Sequence, residues 1–405
     1  MMNVIHTEHD KNYRKRFRNA NIALFLGAFN TFAIMNSTQP ILPNLASEFS
    51  LLPASASLSQ SVTTLTLAFC LLIAGSISEV YGRKVVMSIS AVASAVLAIL
   101  SGFSSTFELL ILIRVLQGIA LAGLPAIAMA YISEEFDRKD IPFAMGLYIS
   151  GNTIGGMSGR LIIGLLANIF TWRSALIFIG AIGVINSIGF VLLLPESRNF
   201  IAKKMDVRSL TGSLIGHMRN PRLVLIYGMS FLMMGSFVSI YNYIGFELIA
   251  PPYLLDRRLV SFVFLIYLTG TFSSTFLSSM SARHRRSHII IPSMLIMILG
   301  TVMTLSGVLV VTVLGIALFT FGFFGCHPIN SAWVAGIAKS SKAQASSLYL
   351  FFYYAGASVG GTVSGIFYQS FGWTGIVISI TVFVLVSLLF LLVLTTAYRE
   401  VEAIA

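Results

Sequence analysis

Arg114, Arg160 and His327 each lie inside a long run of uncharged, mostly apolar residues. An arginine at the centre of a bilayer costs about 3 kcal/mol on insertion scales, so such a side chain must face a polar cavity or hydrogen-bond neighbouring helices. Neither arginine has an obvious acidic partner; Asn36 and Gln39 are the expected partners of Arg114, and snorkelling to the headgroups is the alternative for Arg160. His327, between Cys326 and Pro328, carries the one side chain in an apolar run that titrates near neutral pH. It is either a proton carrier or a hydrogen-bonded residue at a helix kink. Glu79 and Glu247 are the carboxylates nearest the apolar interior and join it as proton-coupling candidates. Bond-making chemistry finds no support: there is no His-Glu-x-x-His, no Gly-x4-Gly-Lys-Ser/Thr, and Cys70 and Cys326 stand apart. No catalytic residue, metal or cofactor is expected.

The elements that must hold these residues are membrane helices. With 56% hydrophobic and 10% charged residues, the chain is too apolar for a water-soluble globule. About twenty uncharged residues span the hydrocarbon, and such runs predict twelve helices: 19–44, 57–80, 85–103, 108–131, 142–166, 173–194, 221–246, 259–281, 288–307, 309–336, 344–369 and 374–397. The uncharged run 289–338 is too long for one helix, and the small residues Ser306 and Gly307 mark a hairpin. Nothing resembles a cleaved signal peptide, so the first apolar run reads as a true span with a cytoplasmic N-terminus.

Charge supports this orientation, because basic loops resist translocation. With both termini inside, twenty-one of the twenty-six Lys and Arg residues are cytoplasmic, among them Lys203, Lys204, Lys339 and Arg399. Only Arg173, Arg257 and Arg258 fall outside. The net charge of +11 therefore reflects topology and contact with anionic lipid, with no nucleic-acid partner implied.

A repeat divides the chain. GNTIGG at 151–156 returns as GASVGG at 356–361, an offset of 205 that also relates Tyr148 to Tyr353. Phe170-Thr171-Trp172 returns as Phe371-Gly372-Trp373, four residues out of step. The domains read as 1–195, a six-helix bundle with a basic tail; 196–220, a cytoplasmic linker; and 221–405, a second six-helix bundle. Gly151, Gly155 and Gly159 share one helix face and let another backbone approach, as do Gly356 and Gly360. Gly156 and Gly361 complete the two clusters, and ordinary membrane-helix packing is the alternative to a moving seam.

Three motifs carry a resemblance. GSISEVYGRK at 75–84 resembles the loop signature of the major facilitator superfamily between its second and third helices, with Glu79 where aspartate and Val80 where arginine are usual. RVLQG at 114–118 resembles that superfamily's helix-four motif, and GNTIGGMSGR the helix-five motif of its proton-coupled drug antiporters, with Gly156 in place of proline. The likeness is to bacterial inner-membrane permeases described as arabinose-efflux-like. It implies an all-α fold of twelve transmembrane helices in two pseudo-symmetric six-helix bundles. It also implies a gate formed by Gly75, Glu79, Gly82, Arg83 and Lys84, with Glu79 against the start of helix eleven near Ser346 and Ser347. The second-half loop SARHRRSH at 281–288 has no carboxylate, so a symmetrical lock is not implied. On helices expected to border the cavity lie Asn30, Asn36, Gln39, Gln60, Asn152, Tyr241, Asn242, Asn330, Tyr353 and Tyr354.

The resulting expectation is a monomeric secondary transporter in a bacterial plasma membrane. It exports small organic or amphipathic compounds by alternating access, with protons and membrane lipids as its other partners. A second reading gives the two arginines an anionic metabolite or lipid headgroup to carry, exchange or flip. A third makes the protein a sensor or scaffold that transports nothing.

Overall fold

A computed structural model describes residues 2–198, 200, 207–281, 283–338 and 340–398, without side-chain detail for 2–11, 207 and 209. Residues 199 and 201–206 of the linker, with Lys203 and Lys204, and the charges at Lys339 and Arg399 lie outside the described residues.

Helix boundaries follow local chemistry. The first apolar run, expected as one span over 19–44, forms α1 (Met2–Met35), a 3-10 turn (Gln39–Ile41) and α2 (Leu42–Glu48). Pro40 and Pro43 lack the amide hydrogens that a continuous helix would use, so the helix breaks at Asn36–Thr38. Then follow α3 (Pro53–Tyr81), which Gly82 ends at φ 99°, and α4 (Arg83–Ser101). The fourth pass is divided at Ala122 into α5 (Phe107–Leu121) and α6 (Gly123–Glu135). α7 (Ile141–Ile169) and α8 (Trp172–Leu193) complete the first bundle; Thr106 and Thr171 cap α5 and α8 by accepting from Leu109 N and Ser174 N.

The linker carries its own helix, α9 (Val207–Met218). The second bundle contains α10 (Pro221–Ile249), α11 (Arg257–Val260) leading through a 3-10 turn into α12 (Tyr267–Met280), α13 (Ser287–Met303) and α14 (Leu309–Ile337). Gly307, left-handed at φ 71°, makes the turn before α14. α15 (Lys342–Ala397) is two passes joined at Gly372, whose φ of 58° and ψ of −146° suit only glycine. It starts at Lys342, four residues before the expected Ser346.

Among the described residues, ten helical stretches are long and apolar enough to cross a membrane. One is the double α15, and the glycine-rich α7, with Arg160 in it, is the further pass, so the architecture is twelve helices in two bundles. One side of the molecule carries α9 (the linker side); the other carries α2 and α11 (the loop side).

The glycine repeat is built into the packing. A side-chain carbon on Gly151 would meet the Phe25 carbonyl at 2.8 Å, and one on Gly159 the Ala33 Cα at 2.6 Å; Gly155 lies against the Phe29 backbone. In the second bundle Gly356 lies against the Phe231 carbonyl and Gly360 against Gly235. Phe25 and Phe231, like Phe29 and Gly235, are 206 residues apart, almost the offset of the glycines. Each bundle thus holds the same parallel, close-packed pair, α1 with α7 and α10 with α15. At the next turn the small pair Ala33–Gly159 is replaced by Ser239 and Ser364, hydroxyl to hydroxyl at 2.6 Å.

Candidate functional site

The break in α1 leaves helix-end carbonyls at membrane depth, where no bulk water can satisfy them. Arg114, fully buried on α5, fills that need. Its Nη2 donates to Met35 O (2.9 Å) and its Nη1 to Ile34 O (3.4 Å), Ser37 Oγ (3.1 Å) and Gln117 Oε1 (2.5 Å), while Nε donates to Ser59 O at 2.9 Å. These groups, rather than the expected Asn36 and Gln39, consume the guanidinium. Asn36 instead accepts from Gln60 Nε2 at 3.4 Å, and Thr38 donates to Gln60 Oε1 at 3.0 Å.

Arg160 on α7 sits where the bundles meet. Its Nη1 donates to Gly156 O at 2.8 Å, and its guanidinium carbon stands 4.6 Å from the centroid of the Tyr267 ring on α12. Its Nε donates to Gln39 Oε1 at 2.5 Å, and Gln39 Nε2 donates to Asn242 Oδ1 on α10 at 2.7 Å. The direction of this chain follows from arginine chemistry. A guanidinium only donates, so Gln39 must present its oxygen to Arg160 and its amide to Asn242, leaving Asn242 Nδ2 as a donor. That nitrogen is buried without a partner, as is the Tyr267 hydroxyl. Arg16, Arg83, Lys84 and Arg173 each pair with a carboxylate, whereas Arg160 has no carboxylate partner among the described residues.

The Arg160–Gln39–Asn242 chain joins the two bundles. On the same side Gly164 packs against Ser261, Gly245 against Pro43, and Asn168 donates to Arg257 O at 3.3 Å. The crevice left there, lined in part by Gln39, Asn44, Tyr241 and Phe264, holds about 20 Å³, room for one water. The loop side is therefore closed. Below it the bundles touch along α3 and α15, with Thr362 donating to Ser61 (3.0 Å) and Phe69 edge-on to Phe351 (5.1 Å).

An aromatic wall runs down the second bundle from Arg160. Tyr267 packs on Tyr241 (4.7 Å between centroids), Tyr241 on Phe237 (4.9 Å), Phe237 on Phe323 (4.1 Å), and Phe323 on His327 (6.2 Å). His327 then lies 4.5 Å from Tyr353, which meets Tyr354 edge-on at 5.2 Å. His327 and Tyr353 are only half-buried despite lying in the interior. The Tyr349 hydroxyl lies 2.9 Å from His327 Nδ1 and 3.1 Å from His327 O, so one tyrosine holds both the ring and the backbone of the histidine.

At the linker side, Gly82 lets Arg83 fold back. The arginine makes a forked pair with Glu134 at the end of α6 (2.7 and 3.2 Å), and donates to Ser78 Oγ (2.5 Å) and Gly75 O (3.3 Å). Glu79 is the weaker partner at 3.6 Å and half-exposed. Lys84 pairs with Glu196 at 2.9 Å. In this conformation, then, the motif ties α3 and α4 to α6; Gly75 faces open space.

The remaining candidates are dispersed. Asn30 donates to Ser187 Oγ on α8 at 3.2 Å, facing its own bundle. Asn330 lies inside the second bundle with Met233 Sδ 3.8 Å away, Tyr241 bonds Thr320 (2.7 Å), Asn152 is half-buried on α7, and Glu247 is half-buried near the loop-side end of α10. A cavity of about 850 Å³ lies elsewhere, between α9 and the starts of α10 and α15, and no candidate residue lines it. Sequence reasoning missed Gln117, Glu134, Tyr267 and Tyr349. Glu134 had a signal, an acidic residue closing the pass that begins near RVLQG, and Gln117 lies within that motif; Tyr267 and Tyr349 look like ordinary helix residues.

Comparisons agree with this architecture. The family model described as Major Facilitator Superfamily matches twice, over residues 24–259 and 232–404. The MFS-type transporter YybF of Bacillus subtilis is 47% identical over 372 residues, 92% of each chain. The inner membrane transport protein YnfM of Escherichia coli is 40% identical over 388 residues, 96% of this chain and 92% of its own. Among solved structures, a mutant of the nucleoside transporter NupG superposes with a TM-score of 0.78 at 16% identity, covering 94% of this chain and all of the other. An inward-facing bacterial homologue of the lysosomal transporter Spinster gives 0.75 at 15% identity, covering 94% and 97%. With two like bundles, a seam sealed on one side, and a family match in each half, the chain belongs to the Major Facilitator Superfamily of secondary transporters.

Proposed function

We propose that the protein exports small organic, amphipathic compounds by alternating access, driven by inward proton movement and with His327 as the proton carrier. The observation that carries this reading is the setting of His327: half-buried on the aromatic wall, with Nδ1 engaged by the Tyr349 hydroxyl. A titrating imidazole there would change the charge of the aromatic wall without requiring a buried carboxylate. Aromatic and polar side chains in one wall suit compounds with an apolar body and a polar end. The drug-antiporter resemblance of GNTIGGMSGR favours export, and YnfM's name favours a bacterial inner membrane. The linker side, with most of the basic residues, is then cytoplasmic, both termini lie there, and one chain suffices for transport.

The test is proton flux in proteoliposomes carrying an internal pH dye, challenged with a panel of amphipathic compounds under an imposed pH gradient. Wild-type protein should acidify or alkalinise the lumen in step with substrate movement. His327→Gln should abolish the coupled proton signal while retaining substrate exchange at equal pH. Equal proton coupling in wild type and His327→Gln would remove the histidine from the mechanism, and exchange with no proton movement in wild type would refute coupling itself.

A further inference from the structure

We propose that Arg160, Tyr267 and Asn242 form a binding site for the carboxylate of an organic anion in the seam between the bundles, next to the loop-side closure. The inference rests on the seam between the bundles being the transport path and names a substrate class for it.

Three hydrogen-bond donors of one contiguous cluster, Arg160 stacked on Tyr267 and linked through Gln39 to Asn242, have too few acceptors. Arg160 is 6% exposed, and among the described residues its hydrogen-bond acceptors are the neutral oxygens of Gln39 and Gly156. Asn242 Nδ2 is compelled to be a donor by the polarity of the Arg160–Gln39–Asn242 chain, and it has no acceptor. The Tyr267 hydroxyl, on the ring that stacks against the guanidinium, also lacks a partner. Asn242 is 1% and Tyr267 5% exposed, so bulk water does not serve them. Buried polar groups left unpaired are costly, and donors without acceptors call for an anion.

Arg114 provides the contrast. It is equally deep, but six oxygen atoms already surround its nitrogens. Of the two, Arg160 alone retains unmet demand for negative charge. A carboxylate would add an opposite charge to the guanidinium, which the neutral oxygens of Gln39 and Gly156 do not supply, and can accept two parallel N–H bonds from it. An organic anion fits better than an inorganic one because the adjoining surface is aromatic, Phe264 and Tyr267 beside Arg160 and Tyr241 and Phe237 beyond. Occupancy also bears on the gate. A carboxylate that draws Arg160 Nε from Gln39 leaves the Gln39 amide free to turn, so the Gln39–Asn242 bond between the bundles loses the anchor that fixes its direction.

The experiment measures equilibrium binding to the full-length protein in nanodiscs, using radiolabelled benzoate and octanoate with benzamide, benzylamine, chloride and phosphate as competitors. Wild type should bind at least one carboxylate and prefer benzoate to its neutral isostere benzamide by about tenfold or more, the penalty for leaving donors unpaired. Arg160→Gln should erase that preference, Arg160→Lys should keep part of it, and Tyr267→Phe should weaken carboxylate binding several-fold with benzamide unchanged. Absence of carboxylate binding, equal affinity for acid and amide in wild type, or displacement by inorganic anions alone would overturn the proposal. So would an Arg160→Gln protein that loses acid and amide equally, the mark of a structural role. If the panel fails while proton-linked flux of neutral or cationic compounds persists, the site falls and the transport reading stands. Carboxylate binding without flux of any compound does the opposite: the site stands and the transport reading falls.

Discussion

Arg114 and Arg160 are the same residue type at comparable depth, yet their surroundings assign them different work. Arg114 closes a broken helix, and its removal would strip donors from Ile34 O, Met35 O and Ser59 O together. At about 1–3 kcal/mol for each buried group left unsatisfied, Arg114→Leu should lose several kcal/mol of stability. A thermal melt in detergent without ligand should show a sharply lowered midpoint or no monodisperse protein; an unchanged melt would contradict the structural role. Composition and position revealed that both arginines needed partners, and no more. Their actual acceptors are largely backbone carbonyls of a distant helix, which side-chain identity does not disclose. Asn30 shows the related difficulty, since a few tens of degrees of helix rotation decide whether a polar residue faces the other bundle or, as here, Ser187.

Among the elements, the paired seams α1–α7 and α10–α15 carry the duplicated design. Glycine echoes were legible in the sequence because close backbone approach depends on the residue type itself. A methyl group on Gly155 would press into the Phe29 backbone, its carbonyl carbon 2.7 Å away, whereas one on Gly146 meets nothing within 4 Å. Gly155→Ala should therefore cost about 1–3 kcal/mol through overpacking and depress transport strongly, with Gly146→Ala near wild type. Initial rates and melting temperatures of the two variants, on equal amounts of protein, check this; equal behaviour would deny the seam its role. The break in α1 had a signal as well. Asn36-Ser37-Thr38-Gln39-Pro40 is turn chemistry inside an apolar run, but hydropathy averages over it.

For the whole molecule, twelve passes and their two-fold division follow from run length and repeat, since bilayer thickness dictates helix length. Which side of the seam is closed depends on contacts between halves that are 203 residues apart at Gln39 and Asn242, and sequence spacing carries no trace of these. Bundles that rock about the shared seam must close one side as they open the other. Pulsed electron resonance reads both sides at once, with native cysteines replaced and spin labels at the exposed pairs Ser47 and Arg258 on the loop side, Ser133 and Ser340 on the linker side. Under a proton gradient with transported substrate, a longer loop-side population should appear together with a shorter linker-side one. Both distances lengthening together, or neither changing while flux proceeds, would contradict the rocking motion.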